Sequence, residues 1–251
     1  MIDSDHVLAR TLAVEAGRLL LGLRRESAAL TEKERGRAGD HASHDLLLER
    51  LAARRPGDAV LSEEGQDDQA RLAARRVWII DPLDGTREYS ELGRDDWAVH
   101  VALWQDGKLA AGAVALPARS VVYATGQPPS VSQAQYVAGD PIMVAVSRTR
   151  PPALLGRLAA ELPLELVPMG SAGVKTMAVL AREADVYLHG GGQYEWDSAA
   201  PVAVATAAGA HASRLDGSPL RYNQPDPLLP DLLVCRPALR DPLLGALKRI
   251  A

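Results

Sequence analysis

Phenylalanine is absent from this sequence, and cysteine occurs once, as Cys235. A single thiol excludes an internal disulfide and any thiolate cage for a metal. It lies in the apolar run Leu232-Leu233-Val234-Cys235, which reads as a buried strand. With aromatics at only 4%, the core must be filled by Leu, Ala and Val. No window approaches ~18 consecutive apolar residues, so no segment is expected to span a membrane. The N-terminus, MIDSDHVLAR, carries acids where a signal peptide needs an apolar stretch, so a cytoplasmic location is expected. A basic excess is missing too: the net charge of -4 argues against nucleic-acid binding. What is present suits one large domain or two fused halves, with 251 residues of which 47% are hydrophobic.

Apolar spacing predicts helices over residues 4–25 and 40–54, the second beginning at Asp40. Strands are expected at 77–80, 98–104, 109–116 and 121–125, with Gln105-Asp106-Gly107-Lys108 as a hairpin turn. The stretch 126–141, GQPPSVSQAQYVAGDP, is rich in Pro, Gly, Ser and Gln and reads as a connecting segment. Beyond it strands at 142–146, 164–167, 186–188 and 232–235 alternate with helices at 152–162, 173–182, 197–208 and 242–250. The pattern implies an α+β half over 1–125 and an α/β half over 142–251.

Four acidic positions stand out: Asp40, the Leu61-Ser62-Glu63-Glu64-Gly65 segment, the pair Asp81 and Asp84, and Asp197 at the opening of an Ala-rich helix. Taken singly, Ser-Glu-Glu-Gly could be an exposed loop and Asp197 a helix N-cap. The Asp81-Pro82-Leu83-Asp84-Gly85-Thr86 stretch resists that account, because it sets two carboxylates at the mouth of an apolar strand. Burying both as anions costs several kcal/mol without a compensating cation. Oxygen donors with no cysteine or histidine cluster point to Mg2+ or Mn2+. A helix beginning at Gly85-Thr86 would add N–H groups for a phosphate, and metals beside a phosphate cradle describe metal-assisted phosphoryl chemistry.

Three motifs mislead. The aspartyl-phosphatase signature Asp-x-Asp-Gly-Thr has one residue between its aspartates, whereas two separate Asp81 from Asp84. Gly170-Ser171-Ala172-Gly173-Val174-Lys175-Thr176 mimics a P-loop, but Val174 stands where a glycine must precede the lysine. His41 and His44 share a helix face, yet the hard-oxygen set elsewhere makes them ordinary, partly exposed histidines.

Together, Leu61 to Gly65, Trp78 to Thr86 and the run Trp196-Asp197-Ser198-Ala199-Ala200-Pro201 resemble the three signatures of the inositol monophosphatase superfamily. With Asp40 and the Gly170 segment, the resemblance covers about residues 40–209. Arg87-Glu88-Tyr89 is similar to the CysQ-type 3'(2'),5'-bisphosphate nucleotidase branch, and Lys175 matches a lysine those enzymes place near the substrate. The glutamate that inositol monophosphatases use on the inositol ring falls near His189-Gly190, where no acid stands.

The resemblance implies a layered α-β-α-β-α sandwich and a phosphomonoesterase that converts 3'-phosphoadenosine 5'-phosphate to AMP and phosphate. Inositol 1-phosphate and fructose 1,6-bisphosphate are the alternative substrates, and a silent metal- or nucleotide-binding regulator is the alternative class. Two or three Mg2+ are implied, with inhibition by lithium. Glu63, Asp81 and the Leu83 carbonyl would hold one ion; Asp81, Asp84 and Asp197 a second; a third would lie near Glu63, with Glu64 beside the site. Asp40, Glu63 and Thr86 would be catalytic, the first and last orienting the attacking water. Asp84, Gly85, Thr86, Arg87, Ser171, Lys175 and Asp197 would contact the nucleotide bisphosphate. A homodimer is implied by the resemblance, although nothing in the sequence marks an interface.

Overall fold

The computed structural model describes residues 4–27 and 29–250. Helix α1 (Asp5–Glu26) is capped by Ser4, whose hydroxyl accepts the Val7 N–H at 3.3 Å. Leu8, Leu12, Ala16 and Leu20 recur along one face and are fully buried there. Helix α2 (Glu32–Arg54) starts at Glu32 rather than at residue 40, so Asp40 lies inside the helix instead of opening it. A capping box sets the start: Thr31 Oγ1 accepts the Glu34 N–H, and Glu34 takes the Thr31 N–H at 3.0 Å. The early turns bury Arg35, Gly36 and Gly39 rather than leucines, which hides them from a hydrophobic periodicity.

Next come β1 (Ala59–Ser62), β2 (Arg76–Asp84), α3 (Thr86–Ser90), β3 (Ala98–Gln105), β4 (Lys108–Leu116) and β5 (Val121–Ala124). The strands form one sheet in the order β1-β2-β3-β4-β5, with β1 parallel to β2 and the other pairs antiparallel. The expected hairpin is present, and Asp106 and Gly107 turn it with φ of 48° and 91°. Trp78 and Ile80 on β2 face α1 and α2, while Val77 and Ile79 face the opposite way.

Residues 126–141 carry no helix or strand. After them run β6 (Ile142–Ser147), α4 (Leu154–Leu158), β7 (Leu164–Met169), α5 (Ala172–Ala181), β8 (Val186–His189), β9 (Gln193–Tyr194), α6 (Glu195–Ala207), β10 (His211–Ser213), β11 (Leu228–Leu229), β12 (Leu232–Cys235) and α7 (Arg240–Ile250). A second mixed sheet has the order β10-β12-β8-β6-β7, and β9 with β11 makes a short ribbon. Helix α4 is shorter than the 152–162 expected, since Pro151-Pro152 delays its start and Gly156 weakens its middle.

Three apolar layers glue this together. One joins α1 and α2 to the first sheet, a second fills the space between the sheets around α5 and α6, and a third joins the second sheet to α4 and α7. The architecture is therefore the layered α-β-α-β-α sandwich. Without phenylalanine, Leu, Ala and Val fill these layers, with Trp78 and Trp97 as the largest buried side chains. Cys235 is buried in the third layer, where desolvation pushes its thiol up to about 12 and keeps it unreactive. Among the described residues, no helix is long and apolar enough to cross a membrane.

Candidate active site

Aspartates three apart on a regular strand point to opposite faces, because side chains alternate. β2 resolves the conflict with a bulge. Asp81 pairs with His100 and Asp84 with Ala98, so three steps on β2 match two on β3. The Ser43 hydroxyl, from α2, donates to the Pro82 carbonyl at 2.7 Å and pins the distortion. Asp81 thus continues the Val77–Ile79 face toward α5 and α6, and the extra residue turns Asp84 to the same side.

Asp197 arrives from the first turn of α6. Asp197 is not the N-cap, which is Tyr194, but sits at the third helical position, where its Oδ2 accepts the Tyr194 N–H at 2.6 Å, and it also joins the aspartates. One carboxylate oxygen from each of Asp81, Asp84 and Asp197 lies within 4.8 Å of the other two. Glu63, just past β1, completes the group: its N–H donates to the Ile80 carbonyl at 3.4 Å, and its carboxyl abuts Asp81.

Mutual repulsion is visible in the protonation preferences. Burial, then Asp197, pushes Glu63 up to about 7. Burial and the charge of Asp84 push Asp197 up to about 6. Asp81, fully buried, is driven well above the usual carboxylate range by desolvation and by Glu63 and Asp84. Of the three, Asp197 is partly offset by His100 and Lys175, which do not outweigh its burial.

Asp84 is different. Burial would raise it, but His100, Lys175 and Ser171 outweigh that and hold it well below the ordinary range. Its partners come from the start of α5: the Ser171 hydroxyl and the Gly173 N–H (2.7 Å) donate to Oδ2, and the Ala172 N–H donates to Oδ1 at 3.1 Å. The P-loop-like segment therefore cradles the chain's own carboxylate. Ser171 adopts a φ of 43°, a strained left-handed value for a residue with a side chain. Gly173 must be glycine, because a Cβ there would run into the His100 ring.

On the other side, Gly85 turns β2 into α3 with a φ of 87°, a region glycine enters at no steric cost. The next residue, Thr86, donates its hydroxyl to Asp40 Oδ1 (3.1 Å) or to the Leu83 carbonyl (3.2 Å). Desolvation, aided by Glu64, pushes half-buried Asp40 up to about 6. Glu64 itself stays outside the aspartate group, its Oε2 4.0 Å from His41 Nδ1. His44 instead meets Ser62 Oγ at 2.9 Å, so the two histidines serve separate contacts.

Residues 3–248 match the model of the inositol monophosphatase family. The chain belongs to that family. A 3'-phosphoadenosine 5'-phosphate phosphatase of Mycobacterium leprae is 53% identical, covering 98% of this chain and 94% of its own length. A 3'(2'),5'-bisphosphate nucleotidase CysQ of Escherichia coli is 32% identical over 74% of this chain and 78% of its own. Among solved structures, Mycobacterium tuberculosis SuhB superposes with a TM-score of 0.76 at 27% identity, covering 98% of this chain and 96% of that one. Membership accords with the acidic group, since the family's enzymes use divalent metals.

Beside this acidic group opens a cavity of about 960 Å³, lined by Asp84, Thr86, Arg87, Ser171, Lys175 and Asp197 among others. Lys175 pairs with neither Glu183 nor Glu195. It is 5% exposed, donates to the Gly170 carbonyl at 3.1 Å and lies 5.3 Å from the Tyr187 ring centre. Arg87 is exposed and 3.8 Å from Glu91.

Sequence reasoning missed two groups. His100 hides in an apolar strand, yet its Nε2 stands 3.2 Å from Asp84 Oδ2 and its Nδ1 3.1 Å from the Trp196 carbonyl. Burial would lower its pKa, but the Asp84 carboxylate raises it, favouring the imidazolium. Its one sequence signal is a lone histidine opposite Asp81 on the neighbouring strand. Asp96, the second, gathers Arg94, Arg148 and the Gly170 N–H, tying β6 and β7 to the first half. No local pattern marks it.

Proposed function

We propose that the protein is a Mg2+-dependent phosphomonoesterase that removes the 3'-phosphate of 3'-phosphoadenosine 5'-phosphate, leaving AMP. The supporting observation is the convergence of Asp81, Asp84 and Asp197 from β2 and α6 within 4.8 Å, at the wall of a polar cavity roomy enough for a nucleotide. The donor set suits a hard divalent cation: it is all oxygen, partly protonated without one, and free of thiolate. In this reading Glu63, Asp81 and the Leu83 carbonyl hold one Mg2+, and Asp81, Asp84 and Asp197 a second, with Mn2+ able to replace either. Bound there, such ions lower the pKa of a coordinated water and neutralise charge on the leaving oxygen.

The chain's residues supply the rest. Thr86 orients the attacking water through its hydroxyl, and Asp40, pushed up to about 6, takes the proton that Thr86 passes on. No side chain is needed as a nucleophile, so the phosphate is transferred to water directly. Ser171, Ala172 and Gly173 hold Asp84 in place, while Gly85, Arg87 and Lys175 offer donors to phosphate oxygens.

A nucleotide is favoured over inositol phosphate by the two curated relatives' names and by the cavity wall at His189 to Gly192, which offers no carboxylate for a ring hydroxyl. Clearance of a by-product of sulfate activation would be the cellular role. Comparing kcat/KM on 3'-phosphoadenosine 5'-phosphate, inositol 1-phosphate and fructose 1,6-bisphosphate in Mg2+ tests the reading. The bisphosphate nucleotide is expected to lead; a clear preference for either other substrate overturns it.

A further inference from the structure

The cavity beside the carboxylates carries more positive charge than one phosphate requires. Arg87, Arg148, Arg150, Arg157 and Lys175 all line its wall. Four of these are committed inside the chain. Arg87 faces Glu91 at 3.8 Å, Arg148 bridges Glu88 and Asp96, Arg157 donates to the Ile250 carbonyl at 2.5 Å, and Lys175 donates to the Gly170 carbonyl. Arg150 is the exception among the described residues, with neither an ion pair nor a side-chain hydrogen bond.

Its backbone is nonetheless held. The Arg150 N–H donates to Ser147 Oγ at 3.2 Å, the Arg148 N–H donates to the Met169 carbonyl at 3.1 Å, and Pro151-Pro152 follow. The loop leaving β6 is thus a tied turn that carries an uncommitted guanidinium. His189, at the end of β8, lines the same cavity. The Gly191 N–H donates to its Nδ1 at 3.1 Å, so a neutral ring keeps its proton on Nε2 as a donor. Burial, Lys175 and Arg150 together push His189 down to about 4, which places both cations within electrostatic reach of this ring.

We propose that Arg150 determines specificity by receiving the second phosphate of a nucleoside 3',5'-bisphosphate, flanked by Lys175 and the His189 N–H. This rests on the proposed hydrolysis of such a bisphosphate at the carboxylate group. A non-reacting phosphate must exchange water for donors on entering the cavity, and an arginine already paired would have to surrender a partner first. Arg150 surrenders none. Its forked guanidinium can meet two phosphate oxygens at once, which lysine cannot.

The test compares wild type with Arg150→Ala and Arg150→Lys, on 3'-phosphoadenosine 5'-phosphate and on adenosine 3'-phosphate. The ratio of kcat/KM for the bisphosphate to that for the monophosphate should fall about tenfold or more in Arg150→Ala, chiefly through KM, as expected for losing a charged hydrogen-bonding partner. Arg150→Lys should recover part of the ratio, and added salt should shrink the wild-type ratio toward the variant's. An unchanged ratio in Arg150→Ala, or a wild type that takes both nucleotides equally, overturns the assignment while leaving a nucleotide phosphatase in place. A wild type that prefers inositol 1-phosphate defeats the functional reading itself, and the inference with it.

Discussion

Asp84 and Asp81 lie within 4.8 Å of each other at their nearest ligand atoms, yet their surroundings oppose one another. Asp84 faces the start of α5, a hydroxyl, two backbone N–H groups and His100, and stays an anion. Asp81 faces Glu63 and the other aspartates, and without a cation it prefers a proton. One half of the group is stabilised as an anion by the protein's own donors; the other half is driven toward the neutral acid. That division explains how the chain folds with four acids together, and it suits the divalent metal of the proposed reaction. Asp84 draws the most donors, whereas Asp81 takes the Leu83 N–H and Asp197 the Tyr194 N–H.

Removing the compensated acid should cost most. Asp84→Asn is expected to lower kcat roughly 10³-fold, the scale of losing a key electrostatic group in a polar active site. Phosphate release by purified variant and wild type measures this; equal rates would show that the acids are not catalytic.

The uncompensated side predicts a pH signature. Glu63 at about 7, and Asp40 and Asp197 at about 6, are raised above their unfolded values. The folded chain therefore holds protons that the unfolded chain has released, so the stability these three groups contribute is full below about pH 4 and is lost as the pH rises through 6 to 7. Asp84 acts oppositely: its contribution is present above its unfolded value and is lost as the pH falls toward its lowered folded value. Metal should reverse the neutral-pH loss, by about 2.7 kcal/mol at a hundredfold excess over Kd. For a chain of this length that is roughly 5–10 °C in Tm, with a smaller gain at pH 5 than at pH 8. Thermal unfolding in chelator against Mg2+ reads both, and a chelated Tm independent of pH between 4.5 and 7.5 would contradict the division.

A smaller effect sharpens the compensated side. Ser171→Ala deletes one donor to Asp84 and leaves the Ala172 and Gly173 N–H groups, so kcat/KM should drop about tenfold, as for one charge-assisted hydrogen bond. A loss as large as that of Asp84→Asn would mean that the hydroxyl, not the backbone, holds the carboxylate. Smallest of all, Arg87→Ala should change kcat/KM by less than about threefold, because an exposed arginine near Glu91 contributes little. A tenfold loss on the nucleotide would move the second-phosphate contact to this residue.

Much of this was legible in order along the chain. Apolar runs located β2, β3, β4 and β12, and the turn residues at Asp106-Gly107 located the hairpin. The acidic segments marked Glu63, Asp81, Asp84 and Asp197 because charge at the end of an apolar strand has few structural explanations. What escaped notice is non-local or carries no local pattern. The first turns of α2 bury glycines and an arginine, so they lack an apolar stripe. Gly170-Ser171-Ala172-Gly173 resembled a ligand's phosphate loop, and only the packing of α5 against β3 shows that it grips Asp84. His100 and Asp96 act across sheets, and Arg150 is distinguished from its neighbours solely by the partners it does not have.

The amino-acid sequence by itself determined which side chains would be charged, roughly where the longer strands would run, and that acids gathered at an apolar strand's end would need compensation. Tertiary structure alone decided that a bulge at Pro82-Leu83 would turn two aspartates to one face, and that α5 would satisfy one of them and not the other. The physical reason is range. Hydrophobic period and turn chemistry act over a few residues and can be read along the chain. Burial, repulsion and the supply of hydrogen-bond donors depend on segments as distant as Asp40, Asp84 and Asp197, and exist only once those segments meet.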